Sequence, residues 1–170
     1  LTDVQKVLMS PDRSPNFRGA RDMGVSSSGG FQALIQELAG NNFSNAFIVG
    51  EDLLGATGDS AKIRSALQKL SFLVVQDTKL TETAKLAHVV LPAAHFGEKE
   101  GTYTNRQGRV QKLNAGVICP DGARQDSEIF LRLLDGAGQK LDYARPSDIF
   151  TALTKEVIAY FKKNNYDLLV

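Results

Sequence analysis

The chain predicts an α/β fold: a three-layer α/β/α Rossmann-like domain with a mostly parallel sheet. Three observations carry this expectation. Short, largely apolar runs at 46–49 ("AFIV"), 72–77 ("FLVVQD") and 88–92 ("HVVLP") are too continuous for strands with one wet face, and suit strands buried on both sides. Each run stops at a polar or turn-forming residue: Gly50, Gln76 with Asp77, and Pro92. Helix-spaced segments separate them, which is the pattern of right-handed βαβ units with helices on both faces.

The elements follow in order. "VQKVLMS" (4–10) is a short apolar run before Pro11 and reads as a strand. Residues 11–30, with two prolines, four glycines and four serines, form a turn-rich crossing segment. "FQALIQELAG" (31–40) puts Phe31, Leu34, Ile35 and Leu38 on one helical face, with Gly40 as its stop. After the first apolar run, "DSAKIRSALQKL" (59–70) is amphipathic: Ile63, Ala66, Leu67 and Leu70 form one stripe, and Asp59 or Ser60 is the N-cap. A short helix capped by Thr81 is expected in "LTETAKLA", between the second and third runs. Residues 95–125 read as one long loop. Helices are expected at 125–138, capped by Asp126 or Ser127 and stopped by Gly136, and at 145–164, with Ser147 and Asp148 in the first turn.

A chain of 170 residues suits one domain with a real core, so 1–170 is taken as a single Rossmann-like domain. It begins without methionine, and is expected to be a fragment of a larger multi-domain subunit. The net charge of +1 calls for neither nucleic acid nor an anionic membrane, and no apolar run approaches the ~20 residues that span a bilayer. An intracellular, soluble protein is the expectation. One cysteine, Cys119, allows neither an internal disulfide framework nor a cysteine-ligated cluster, and two histidines, His88 and His95, do not make a nitrogen-and-sulfur metal site. No catalytic constellation is legible.

In an open parallel sheet, ligands gather beyond the carboxyl ends of the strands. There the chain offers Gly50, Glu51 and Asp52 after the first strand, Asp77 after the second, and Glu98 with Gly101 after the third. Gly50 lets a ligand approach the backbone closely, and the carboxylates can accept bonds from ribose hydroxyls or the N–H edge of a guanine. Acidic residues in these places also cap the following helix and complement its dipole, a second reading of Asp52 and Asp77. Neither G-x-G-x-x-G nor a P-loop run follows the first strand. In the loop, Gly101 and Gly108 permit tight paths, Thr102, Thr104 and Asn105 offer donors and acceptors, and Arg109 or Arg106 has the fork for phosphate or carboxylate. A solvated loop whose arginines pair with Glu98 or Glu100 is the alternative.

The stretch 75–111 adds what spacing alone does not. "TETA" (81–84), "VVLPAA" (89–94), "EKEGTYTN" (98–105) and "GRVQ" (108–111) closely resemble the signature of the molybdopterin oxidoreductase family. "NFRGARDMG" (16–24), "FIVGED" (47–52) and "ARQDSEIF" (123–130) extend the resemblance over most of 4–160. It implies a Rossmann-like domain holding one molybdopterin guanine dinucleotide, with Gly50, Glu51, Asp52, Asp77, Thr102, Thr104, Asn105, Gly108 and Arg109 near that cofactor. Where many members read glycine-x-asparagine-proline, this chain reads "GEDL", and their helix-start tryptophan is Ser127.

The first departure brings the chain nearest to the large G subunit of NADH-quinone oxidoreductase (respiratory complex I). In that parent the fragment would be a non-catalytic scaffold with a vestigial nucleotide cleft, supporting electron transfer from NADH to quinone. Iron–sulfur clusters would lie elsewhere in the parent, and the metal-ligating residue and cluster cysteines of the family have no counterpart in these residues. Partners would be the remaining domains and other respiratory subunits, at a cytoplasmic site peripheral to the inner membrane. The alternative parent is a catalytic formate-dehydrogenase-type enzyme with a working cofactor cleft.

Overall fold

Three strands share one direction. In the computed structural model, which describes residues 15–25, 30–56, 58, 60–105 and 107–157, β1 (Asn45–Val49), β2 (Phe72–Asp77) and β3 (Val89–Pro92) form a parallel sheet in the order β1-β2-β3. The central strand is the most deeply buried of the three, and its Leu73 and Val75 are fully enclosed. A reciprocal pair starts β3: the His88 N–H donates to the Leu73 carbonyl at 2.8 Å, while His88 Nδ1 accepts the Leu73 N–H at 2.9 Å. His88 is thus a structural residue.

The chain divides into two compact units. The larger, Ser27–Lys99 with Ala115–Asp142, holds the parallel sheet. One face of that sheet is covered by α2 (Gly30–Ala39), α3 (Leu53–Ala56) and α4 (Ser60–Gln68). The α4 stripe packs as its periodicity predicts: Ile63, Ala66 and Leu67 are buried with Leu70, against Leu38, Leu53, Leu54, Leu73 and Val75. Each large aliphatic side chain buried there contributes about 1.5–3 kcal/mol. On α2, Leu38 is buried and Ile35 packs alongside, whereas Leu34 is exposed. Gly40 follows that helix, but Asn41 takes the left-handed conformation that ends it, at φ 58°. The opposite face of the sheet meets α5 (Asp126–Gly136), where Phe47 of β1 and Phe130 stand edge to face with ring centres 6.0 Å apart. Helices on both faces of a parallel sheet give the expected three-layer α/β/α arrangement, but the strands are less enclosed than their apolar runs predict: in β1 exposed Phe47 and Val49 alternate with half-buried residues, and Val89 and Val90 of β3 are exposed.

Between β2 and β3 the expected helix is a single 3-10 turn, Ala84–Leu86. Thr81 is its cap, accepting the Ala84 N–H at 3.2 Å.

The smaller unit is Leu1–Ser26, Glu100–Asn114 and Tyr143–Val170. Among its described residues are α1 (Phe17–Asp22), the antiparallel pair β4 (Gly101–Thr104) and β5 (Val110–Leu113), and α6 (Pro146–Glu156). Here the single-domain expectation meets a second core, in which Val110 and Phe150 are buried against Met23, Leu153 and Val157. The strand expected at 4–10 lies outside the described residues. The crossing segment 11–30 contains α1, and the loop expected at 95–125 contains a 3-10 turn at Phe96–Glu98 and the β4–β5 hairpin. That hairpin escapes notice because its buried positions, Thr104 and Val110, are single residues among polar ones. α6 opens with Pro146 at its first position, and Asp148 Oδ2 accepts the N–H groups of Ala144 and Arg145 at 3.0 and 2.9 Å. Among the described residues, no helix is long and apolar enough to cross a membrane.

Candidate functional site

The parallel register brings the polar strand tips to one edge of the larger unit. Val49 lies beside Gln76 and Asp77 beside Pro92. The ladder continues one step further: the Gly50 N–H donates to the Gln76 carbonyl at 2.8 Å, and the Ala93 N–H to the Asp77 carbonyl at 3.0 Å. Gly50, Asp77 and Ala93 therefore mark a rim at the carboxyl ends of the strands, where such sheets bind ligands. Gly50 has φ 65°, which favours glycine, and a Cβ built there would meet nothing within 4 Å. The backbone is open to a visitor at this point.

The carboxylates along the rim differ in what they are free to do. Glu51 is exposed. Asp77 Oδ1 accepts the N–H groups of Thr78 and Lys79 at 2.7 and 3.3 Å, which fixes the turn that follows β2. Glu98 is occupied locally, accepting the His95 N–H at 2.8 Å. Asp52 faces inward: its Oδ1 accepts the Thr83 hydroxyl at 2.6 Å and the Thr83 N–H at 3.1 Å. The Thr83 hydroxyl, ahead of the backbone N–H groups of Thr83, Gly55 and Leu54, holds the Asp52 carboxyl below its ordinary value of 3.8, against an opposing push from burial.

Four residues behind the rim are not among the sequence-predicted site residues. Thr83 is fully buried, and Gln76, at the end of the central strand, is equally so. Gln76 Nε2 donates to Asp126 Oδ1 at 2.6 Å, and Asp126 Oδ2 accepts from Lys99 Nζ at 2.5 Å. The only signal in the sequence was a neutral polar residue at the end of an apolar run. A separate cavity of about 310 Å³, lined by Asn45, Ala46, Phe47, Phe72, Val74 and Leu133, reaches the first residues of β1 and β2 and is not part of the rim.

The other candidates lie in the smaller unit. Thr102 is on β4, and Thr104 is buried, donating its N–H to Asn16 Oδ1 at 2.7 Å. Asn105 Oδ1 accepts the N–H groups of Gln107 and Arg109 at 3.0 and 2.9 Å and so shapes the hairpin turn. Gly108, at φ 85°, packs against the Arg18 guanidinium. Arg109 is exposed, and Arg106 lies outside the described residues. Gly50, Glu51, Asp52 and Asp77 thus share one rim, while Thr102, Thr104, Asn105, Gly108 and Arg109 share one hairpin. Among the described residues no group of three or more His, Cys, Asp or Glu is placed to hold a metal ion.

The sequence profile described as molybdopterin oxidoreductase matches residues 10–135, well over half of the chain. The chain belongs to the molybdopterin oxidoreductase family. Among curated family members, the α subunit of an F420-dependent formate dehydrogenase 2 from Methanococcus maripaludis is 45% identical over 124 residues, which are 72% of this chain and 18% of that protein. The corresponding F420-dependent formate dehydrogenase α subunit of Methanocaldococcus jannaschii is 43% identical over the same shares of both chains. This chain therefore spans under a fifth of the length of either relative. The solved structure of acetylene hydratase from Pelobacter acetylenicus superimposes with a TM-score of 0.62, at 17% identity, over 78% of this chain and 20% of that one, and so shares its fold.

These molybdopterin oxidoreductase relatives favour the formate-dehydrogenase-type parent over the complex I G subunit expected from "GEDL". Asp52, standing where many family members have asparagine, caps α3 and bonds Thr83. Leu53, standing in place of proline at the first helical position, is buried in the core. The departure leaves a well-bonded turn.

Proposed function

We propose that this chain holds the guanine dinucleotide end of a molybdopterin cofactor in a formate-dehydrogenase-type enzyme. The supporting observation is the rim on which an open, left-handed Gly50 sits beside Asp77, with Glu51 exposed next to it. A nucleotide fits that set of groups. The Gly50 backbone admits close approach, and Glu51 with the free oxygen of Asp77 accepts hydrogen bonds from ribose hydroxyls or from the N–H edge of guanine. In the smaller unit, taken by itself, Arg109 carries a guanidinium fork suited to phosphate or carboxylate, and Thr102 a hydrogen-bonding side chain. The bound cofactor would supply the redox chemistry, while this chain binds and orients its nucleotide end. The remaining domains of the parent subunit would be its partners, and iron–sulfur clusters would lie outside these residues.

Calorimetric titration of the chain with guanosine monophosphate, and with extracted molybdopterin guanine dinucleotide, tests this. Saturable one-to-one binding, weakened by Glu51→Gln and by Asp77→Asn, is the expected result. Absence of binding by either ligand would sink the proposal.

A further inference from the structure

Resting on the nucleotide reading of the rim, we infer that Asp52 and Thr83 are not ligand contacts but a pair of positioning residues. Together they hold the Gly50–Glu51 turn in the shape that presents its backbone and the Glu51 carboxylate to a purine nucleotide.

The geometry assigns the two groups inward. The Thr83 hydroxyl donates to Asp52 Oδ1 at 2.6 Å and accepts the Leu54 N–H at 3.2 Å, and the whole residue is sealed from solvent. The second Asp52 oxygen is folded onto α3, only 2.8 Å from where a Cβ on Gly55 would stand. Both carboxylate oxygens are thus directed at the protein. The clasp joins the turn after β1 to the segment between β2 and β3, residues 31 positions apart, through both the hydroxyl and the backbone N–H of Thr83. What remains outward on the first turn is the Gly50 backbone and Glu51.

Gly55 provides an independent lever. Alanine there removes neither member of the pair, yet its methyl group would push the Asp52 carboxylate off Thr83. Positioning therefore predicts that Gly55→Ala, Thr83→Val and Asp52→Ala act alike.

Guanosine monophosphate affinity is measured by calorimetry, and amide exchange at Gly50, Leu54 and Thr83 by mass spectrometry, for these variants and for Thr83→Ser. Each of the three should bind about tenfold more weakly, as expected when a buried hydrogen bond is lost. The Asp52→Ala/Thr83→Val double variant should be no worse than either single one, because the two groups act as a unit. Thr83→Ser, which keeps the hydroxyl, should bind as the parent chain does. Additive losses in the double variant would mean that Asp52 itself touches the nucleotide, and would overturn the inference. Unchanged affinity in Thr83→Val and Gly55→Ala would do so as well. If the unaltered chain binds no nucleotide, the functional reading fails and the exchange data judge the clasp alone. Faster exchange at the three amides in all three variants then keeps the clasp, and unchanged rates reject it.

Discussion

The Gln76 side-chain amide donates a 2.6 Å hydrogen bond to the carboxylate of Asp126, fifty residues further along the chain. It ties the end of the central strand to the first turn of α5. Gln76 is fully buried and its Oε1 has no partner among the described residues, so this polar group depends on Asp126 for its compensation. Asp126→Ala should cost about 1–3 kcal/mol, since it strands a buried N–H donor. Gln76→Leu should change stability by no more than about 1 kcal/mol, because it removes the unpaired oxygen along with the bond. Urea unfolding of the two variants checks the ranking, and a larger loss in Gln76→Leu would contradict it.

Asp52 makes a prediction about acid. The Thr83 hydroxyl holds its carboxyl below 3.8 in the folded chain, so the unfolded chain takes up this proton first as pH falls. The stabilisation is complete above about pH 4 and is lost as pH falls through the folded value. Asp52→Asn should therefore be less stable than the unaltered chain at neutral pH, with the gap closing in acid. Urea midpoints measured across that range would show it, and a gap that widens in acid would refute the assignment.

At Gly50 only the backbone dihedral is at issue, because an added Cβ meets nothing. Gly50→Ala should cost about 1–2 kcal/mol through its left-handed φ. Chemical denaturation measures the cost, and a neutral substitution would show that the turn relaxes freely.

Arg109 is exposed, and its N–H and carbonyl groups close the hairpin turn. Arg109→Ala should leave the melting temperature almost unchanged, within about 0.5 kcal/mol of stability, while weakening binding of the extracted cofactor. A collapse in melting with unaltered binding would make the residue structural.

Much of the sheet was legible in the sequence because its strands carry their own signal. β1, β2 and β3 are continuous apolar runs ending in glycine, aspartate and proline, and the α4 stripe at Ile63, Ala66, Leu67 and Leu70 needs no partner to be seen. The cap at Thr81 was visible for the same reason: it is a local bond across three residues. The shared rim of Gly50 and Asp77 followed once the strands were taken as parallel, and the register of β1 with β2 bears this out.

What tertiary structure decided are the relations between distant residues. The β4–β5 hairpin has one buried position on each strand near its turn, too little for a pattern, and its core with Phe150 joins segments far apart in the chain. Whether Asp52 faced a ligand or the protein was open from sequence, since an aspartate after a strand suits either. Only folding brings Thr83 against Asp52, and Asp126 with Lys99 against Gln76. A side-chain oxygen takes its role from whichever donors the packed chain sets beside it.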